Sequence, residues 1–423
     1  MFVILWGHKT SPVVGQAVWT VRSPMPTART SICAAVMDGK IYVIGGRSGN
    51  GRIVSVVESY SPITDTWETG LPRLRKEREN AAAVVFQEKI FVLGGRDDEG
   101  EVLKKVEFFN TSGNEWQKFR ELKEEREGLT AVVLQGQLFA VGGFGGSDDD
   151  SDDDSDDDGE RFLDNVEYYD EARGRWRTVS DWRLEFARAS FATVAFEDTA
   201  FSIAGFSSLG PLAAVQRYHP AVGTSNRNDL LTARGGLAAA ASANEIFVIG
   251  GRNPGDQVIG SVEFFRPAEN TWDVGAPLNQ AREGFAALAV GDKIYVMGGQ
   301  DADGHVLASM EVAKTSDIVT SVLVRGPLQP ARFGLEQNYP NPFNPETRME
   351  FRVSSGRDRV TLKVYNVQGG LVKTLVDDQF SPGDYQVVWD GTDRYGEAVA
   401  SGIYFSRLQS GFRSESRKMV LVR

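Results

Sequence analysis

Apolar positions in this chain of 423 residues come in short runs, and the runs repeat. IYVIGG, FVLGG, LFAVGG, IFVIGG and IYVMGG close on glycine pairs at Gly46, Gly95, Gly143, Gly251 and Gly299, with FSIAG at Gly205 as a degenerate copy. The successive intervals are 49, 48, 62, 46 and 48 residues, too regular to be accidental. Upstream of each pair an arginine precedes a small-residue run: Arg29, Arg78, Arg126, Arg188, Arg234 and Arg282. Downstream comes VESY, VEFF, VEYY, VQRY or VEFF, starting at Val57, Val106, Val166, Val215 and Val262. Ten residues past four of these valines stands Trp67, Trp116, Trp176 or Trp272, whereas the fourth copy has Ser225. Each unit therefore predicts four short strands separated by turn residues. Radial repetition of such units is how a β-propeller leaves only short, protected edges.

The glycine pairs (Gly45 and Gly46, Gly94 and Gly95, Gly142 and Gly143, Gly250 and Gly251, Gly298 and Gly299), the Glu-x-aromatic phrases and the tryptophans together resemble the kelch repeat. The resemblance covers residues 18–314 and implies an all-β fold, a six-bladed kelch β-propeller. The sixth copy has MEVA at Met310 but no tryptophan near Thr320, while an unclaimed Trp19 heads the chain. The segment VWTVRSP is thus expected to close the ring as an N-terminal outer strand of the last blade. Packing is the expected role of the glycine pairs and of Trp19, Trp67, Trp116, Trp176 and Trp272.

Beyond Lys314 the repeat stops. Residues 315–333 read as a linker, and NYPNPFNP follows, whose X-Pro steps forbid helix. Alternating runs RMEFRV, VTLKVYNV, YQVVWD, GIYFSRL and RKMVLVR then predict a small C-terminal β-sandwich over residues 334–423. NYPNPFNP, VYNVQGG, VVWDGTD, ASGIYF and KMVLVR resemble, in that order, the C-terminal sorting domain of type IX secretion substrates. That resemblance implies a partnership with the type IX secretion machinery and a secreted or outer cell-surface location. Residues 1–17, with an apolar run and small residues at Gly15 and Ala17, are expected to be a remnant of an export signal.

Charge changes the picture at one place. The net charge is −12, but the run Asp148 to Asp158 contributes nine aspartates, so the rest of the chain is close to neutral. A nucleic-acid partner is therefore not expected, and no stretch approaches the ~20 apolar residues that span a bilayer as a helix. The run lies in an insertion at 147–160, between the strand that ends in Gly143 and the next. Asp154, Asp156, Asp158 and Gly159 match the start of a calcium loop, but the twelfth position is Asn165 where a bidentate glutamate belongs. A solvated acidic loop is the expectation. The single cysteine, Cys33, sits in the apolar run SICAAV and reads as a small core residue.

Catalytic motifs are sparse. The three histidines, His8, His219 and His305, lack metal-ligand spacing, and neither a GxSxG elbow nor a P-loop occurs. No cofactor is expected. The six repeat arginines fall near one mouth of the expected channel, where guanidinium forks suit carboxylates. In kelch adaptors arginines at comparable places bind acidic peptides, so Arg29, Arg78, Arg126, Arg188, Arg234 and Arg282 are the candidate ligand-binding residues; the competing role is bonding to loop carbonyls or nearby glutamates. Glu58, Glu107, Glu167 and Glu263 are expected to hold blades together. The chain reads as an exported module that binds a protein or glycan, the alternative being a sugar mutarotase or epimerase acting on sialic acid or a related acidic sugar.

Overall fold

The computed structural model describes residues 18–110, 113–145, 161–320, 334–338, 340–353, 359–379, 383–395, 397–410 and 413–422. They fall into two compact units, one within Val14–Leu323 and the other within Val324–Arg423. Residues 1–17 and the aspartate run 148–158, with its calcium candidates Asp154, Asp156 and Asp158, lie outside the described residues.

The first unit contains six four-stranded antiparallel sheets. Their innermost strands are Cys33–Met37, Ala82–Phe86, Thr130–Leu134, Ala192–Phe196, Ala238–Ala241 and Ala286–Val290. Each packs beside the next, and the last returns to the first, so the sheets close a ring. Small side chains dominate these strands because they converge where sheets are closest. A second closed circuit runs through the backbone. Ser31 N–H donates to Gly284 O, Gly284 to Gly236, Gly236 to Ser190, Ser190 to Gly128, Gly128 to Asn80 and Asn80 to Ser31, at 2.6 to 3.0 Å. All six residues have positive φ, between 50° and 64°, a region that glycine enters freely and that asparagine and serine tolerate better than branched residues.

Closure uses the N-terminal strand, as expected. Thr20–Arg22 pairs with Met310–Lys314, placing Thr20 opposite Val312 and Arg22 opposite Met310. Trp67, Trp116 and Trp272 each donate their indole N–H to a carbonyl 44 residues upstream. In the last sheet the position 44 residues past Ala276 is Thr320, which has no indole, and Trp19 donates to Ala276 O at 2.9 Å instead. Residues 315–320, expected to start a linker, form a short helix, Thr315–Thr320, whose Ile318 packs in the same cluster as Trp19.

The fourth sheet departs most from the pattern. Its outer hairpin is one residue shorter, so Thr224, not Ser225, faces Tyr218. The missing indole is supplied from the third sheet, whose outer strand Arg175–Arg183 is long enough to carry Trp182 over Tyr218. The two rings stack at 4.2 Å and 8°.

The second unit is two facing sheets. One orders Gly334–Leu335, Thr347–Val353 and Gly383–Trp389; the other orders Leu371–Gln379, Arg359–Asn366, Gly402–Ser410 and Arg413–Leu421. Met349, Leu362, Val364, Trp389, Leu408 and Met419 fill the space between them. Lys373 is held at its edge by Asp390 at 2.9 Å.

Candidate functional site

The six candidate arginines do not line an open mouth. Each is fully buried, because a guanidinium on a short segment between sheets is within reach of its own repeat's carbonyls. Arg29 Nη1 donates to Gly45 O and Val56 O, both at 2.9 Å, and Arg78, Arg234 and Arg282 repeat the pattern with Gly94, Gly250 and Gly298. Nη2 then meets a buried glutamate: Arg29 with Glu58 at 2.7 Å, Arg126 with Glu167 at 2.6 Å, Arg282 with Glu311 at 2.8 Å, and likewise Arg78 with Glu107 and Arg234 with Glu263. The glutamates also accept backbone N–H groups, as Glu167 does from Lys123 at 2.8 Å and Glu124 at 3.2 Å.

The arginine carbonyls tie adjacent repeats. Gly46 N–H donates to Arg78 O at 2.8 Å, and a Cβ on Gly45 would lie 2.5 Å from that same oxygen. This close approach is why the glycine pair recurs. Burial lowers the pKa of Arg29, Arg78, Arg234 and Arg282, against the pull of their glutamates. Five of these arginines are clamps closed on a glutamate, and the face beside them carries other groups.

Those groups stand one residue after each glycine pair: Arg47, Arg96, Phe144, Phe206, Arg252 and Gln300. Three of them reach the following repeat as forks. Arg47 Nε donates to Glu79 at 2.8 Å, Arg96 Nε to Glu127 at 2.7 Å and Arg252 Nε to Glu283 at 2.9 Å. The bonds to Glu79 and Glu283 hold Arg47 and Arg252 above the usual arginine pKa. The charges of Arg47, Arg96 and Arg252 are thus matched by Glu79, Glu127 and Glu283.

Two neighbouring junctions have no such pair. Between the third and fourth repeats Phe144 stands beside Glu127 and Ala189 begins the next repeat; between the fourth and fifth, Phe206 is followed by Gly235. Phe144 packs edge-on against Phe162 at 5.1 Å. Phe206 lies flat on Gly235, where a Cβ would meet its ring at 2.4 Å. At the tip of this hairpin Leu209 is 88% exposed. The result is that two neighbouring repeats carry phenylalanine where three others carry arginine, with Arg161 on the same hairpin as Phe144. The signal for this in the chain is the order Arg, Arg, Phe, Phe, Arg, Gln at the position after the repeated glycines, which the landmark arginines overshadow.

Among the described residues one cluster has a metal-binding donor set, Asp301, Asp303 and His305. Asp301 Oδ1 accepts the N–H groups of Asp303 and His305 at 3.0 and 2.9 Å. Asp97 and Asn253 make the same turn in the second and fifth repeats, so the cluster is the hairpin tip of this fold.

Comparison with known proteins agrees with this architecture. Residues 14–143 match the KLHDC2/KLHL20/DRC7 Kelch-repeats domain, and residues 125–181, 233–279 and 281–312 match the Kelch motif. Residues 338–410 match the FlgD Ig-like domain. Beta-scruin of Limulus polyphemus is 43% identical over 49 residues, covering 12% of this chain and 5% of its own length. F-box protein AFR of Arabidopsis thaliana is 44% identical over 50 residues, 12% of this chain and 13% of that protein, and human Kelch-like protein 13 is 40% identical over 58 residues, 14% and 8%. The matched stretches are thus a small part of these relatives. The solved structure of YjhT superposes with a TM-score of 0.58 at 16% identity, covering 69% of this chain and 96% of its own, a likeness of fold. The chain carries kelch repeats in a β-propeller and, C-terminal to them, an Ig-like domain.

Proposed function

We propose that this kelch propeller is an exported binding module that docks a protein or glycan on the face carrying the residues after the glycine pairs, and that the Ig-like unit serves as a type IX sorting domain. The apolar group Phe144, Phe206 and Leu209 is the observation that carries the docking reading. Leu209 is 88% exposed at the tip of the hairpin that carries Phe206, where the counterparts in other repeats are polar. Interface centres favour aromatic residues within a polar rim, and Phe144 and Phe206 supply such residues here. The matched Arg–Glu forks around them supply the rim.

The sorting reading is supported by the motif order from NYPNPFNP to KMVLVR and by an Ig-like sandwich in that position. The enzyme alternative has less support, because five of the six arginines that acid–base work on an acidic sugar would recruit are already held by buried glutamates. Export is tested by removing residues 334–423 in a host that has type IX machinery. The full chain is expected outside the cells and the truncated chain inside, still folded. Equal amounts of both outside would overturn the sorting assignment and leave the docking reading standing.

A further inference from the structure

One clamp is incomplete. In the second, third and sixth repeats three donors converge on one carboxylate: two successive backbone N–H groups and the arginine Nη2. They are Arg75, Lys76 and Arg78 on Glu107, Lys123, Glu124 and Arg126 on Glu167, and Asn279, Gln280 and Arg282 on Glu311. In the fourth repeat the corresponding donors are Glu185 N–H, Phe186 N–H and Arg188 Nη2, and the acceptor position holds Gln216.

Gln216 does only part of the work of a glutamate. Its Oε1 accepts Glu185 N–H at 3.2 Å, and its Nε2 is spent on Arg183 O at 3.1 Å. Arg188 keeps its carbonyl partners, with Nη1 on Ala204 O at 3.0 Å and Ala214 O at 3.1 Å, but Nη2 is buried without a hydrogen-bond partner. No carboxylate among the described residues forms an ion pair with it. A buried cation left in this state is costly, because the interior does not replace its hydration. Burial accordingly lowers the Arg188 pKa to about 10, while the exposed carboxylates Glu185 and Asp229 offset this only by long-range attraction.

We infer that the fourth repeat is a binding site for a single carboxylate group, taken up by Arg188 Nη2 and Phe186 N–H when it displaces the Gln216 carboxamide from the place that a glutamate fills in the other repeats. The donor set is that of a carboxylate cradle filled three times over in this same chain, with the resident carboxylate replaced by a neutral amide. Access is through one side chain. The Phe186 ring lies over the guanidinium at 6.0 Å and is itself 38% exposed, so it is the partly exposed group between Arg188 and solvent. The inference stands apart from the docking reading, since the cradle would accept a small carboxylate whether or not a macromolecule docks nearby.

The test uses the full chain and its Gln216→Glu variant, which restores the internal partner. Thermal unfolding and calorimetric titration are followed with sodium formate as the free carboxylate and with an acidic dipeptide as a carried one. The variant is expected to unfold about 2–4 °C higher than wild type without ligand, for a gain on the order of 1 kcal/mol. Formate is expected to raise the wild-type midpoint saturably and to bring it toward that of the variant, with titration heat in wild type and none in the variant. A dipeptide response of the same kind would show that the group can be borne on a larger ligand; response to formate alone would assign the site to small free anions. Parallel formate responses in the two proteins would overturn the inference, as would a variant no more stable than wild type. A Phe186→Ala variant keeps the cradle and is expected to retain formate binding; loss of binding there would also contradict the assignment.

Discussion

The indole of Trp19 donates to the carbonyl of Ala276 across 257 residues of sequence, completing in the last sheet a bond that other repeats make within themselves. Ring closure thus depends on one three-residue strand and one buried tryptophan. Trp19→Ala removes the packing of a nearly fully buried side chain together with its hydrogen bond and is expected to cost about 3–5 kcal/mol. Trp19→Phe should recover most of that. Urea unfolding of both variants checks the order.

The clamp pairs predict an asymmetry between repeats. Glu107→Ala strands the Arg78 guanidinium in the interior, a change that costs about 3–5 kcal/mol for a buried ion pair. Gln216→Ala removes no charge partner and is expected to cost about 1–3 kcal/mol from the hydrogen bonds it forfeits. Equal losses on chemical denaturation would mean that the carboxylates contribute little to the ring.

Cys33 is a core thiol, and burial pushes its pKa up from 9.0 to about 12, outweighing the attraction of Arg78 and Arg29. A folded pKa above the unfolded one keeps the proton on the native state. Its contribution to stability is therefore complete below pH 9 and lost as pH rises from 9 towards 12. The decline in urea midpoint between pH 8 and pH 10.5 should be steeper in wild type than in Cys33→Ala, and a thiol reagent at pH 8 should label the unfolded chain far faster than the native one.

The nine aspartates between Asp148 and Asp158 belong to the sequence of the third repeat's central hairpin, the one that carries Phe144. Deleting them is expected to leave thermal unfolding nearly unchanged and to strengthen binding of acidic ligands at low salt. The gain should fade at physiological ionic strength, where the Debye length is about 8 Å. Affinity for an acidic peptide at two salt concentrations, wild type against deletion, decides this.

Much of the ring was legible because propeller repeats write their geometry at fixed intervals. The glycine pairs and the displaced Trp19 located the sheets and the closing strand directly. The arginines were harder: their positions were plain, but whether a guanidinium points outward or inward depends on a partner elsewhere in the chain. That partner was in fact encoded, since Arg29 and Glu58, Arg78 and Glu107, Arg234 and Glu263, and Arg282 and Glu311 are all 29 residues apart. Reading the spacing between landmarks, besides the landmarks themselves, reveals the clamp and the one repeat that lacks it. Trp182 was not legible in this way, because it serves the fourth sheet from an extension of the third.

The docking face is tested most directly by exposing the full chain to a combined peptide and glycan array beside Leu209→Asp and Phe206→Ala variants, with an acidic-sugar turnover assay on the same preparations. Wild type is expected to retain a defined set of ligands without converting any sugar, and Leu209→Asp to lose at least tenfold in affinity while unfolding at the wild-type temperature. Ligands held equally by wild type and both variants would place binding elsewhere on the molecule, and sugar turnover by wild type would replace the binding module with an enzyme.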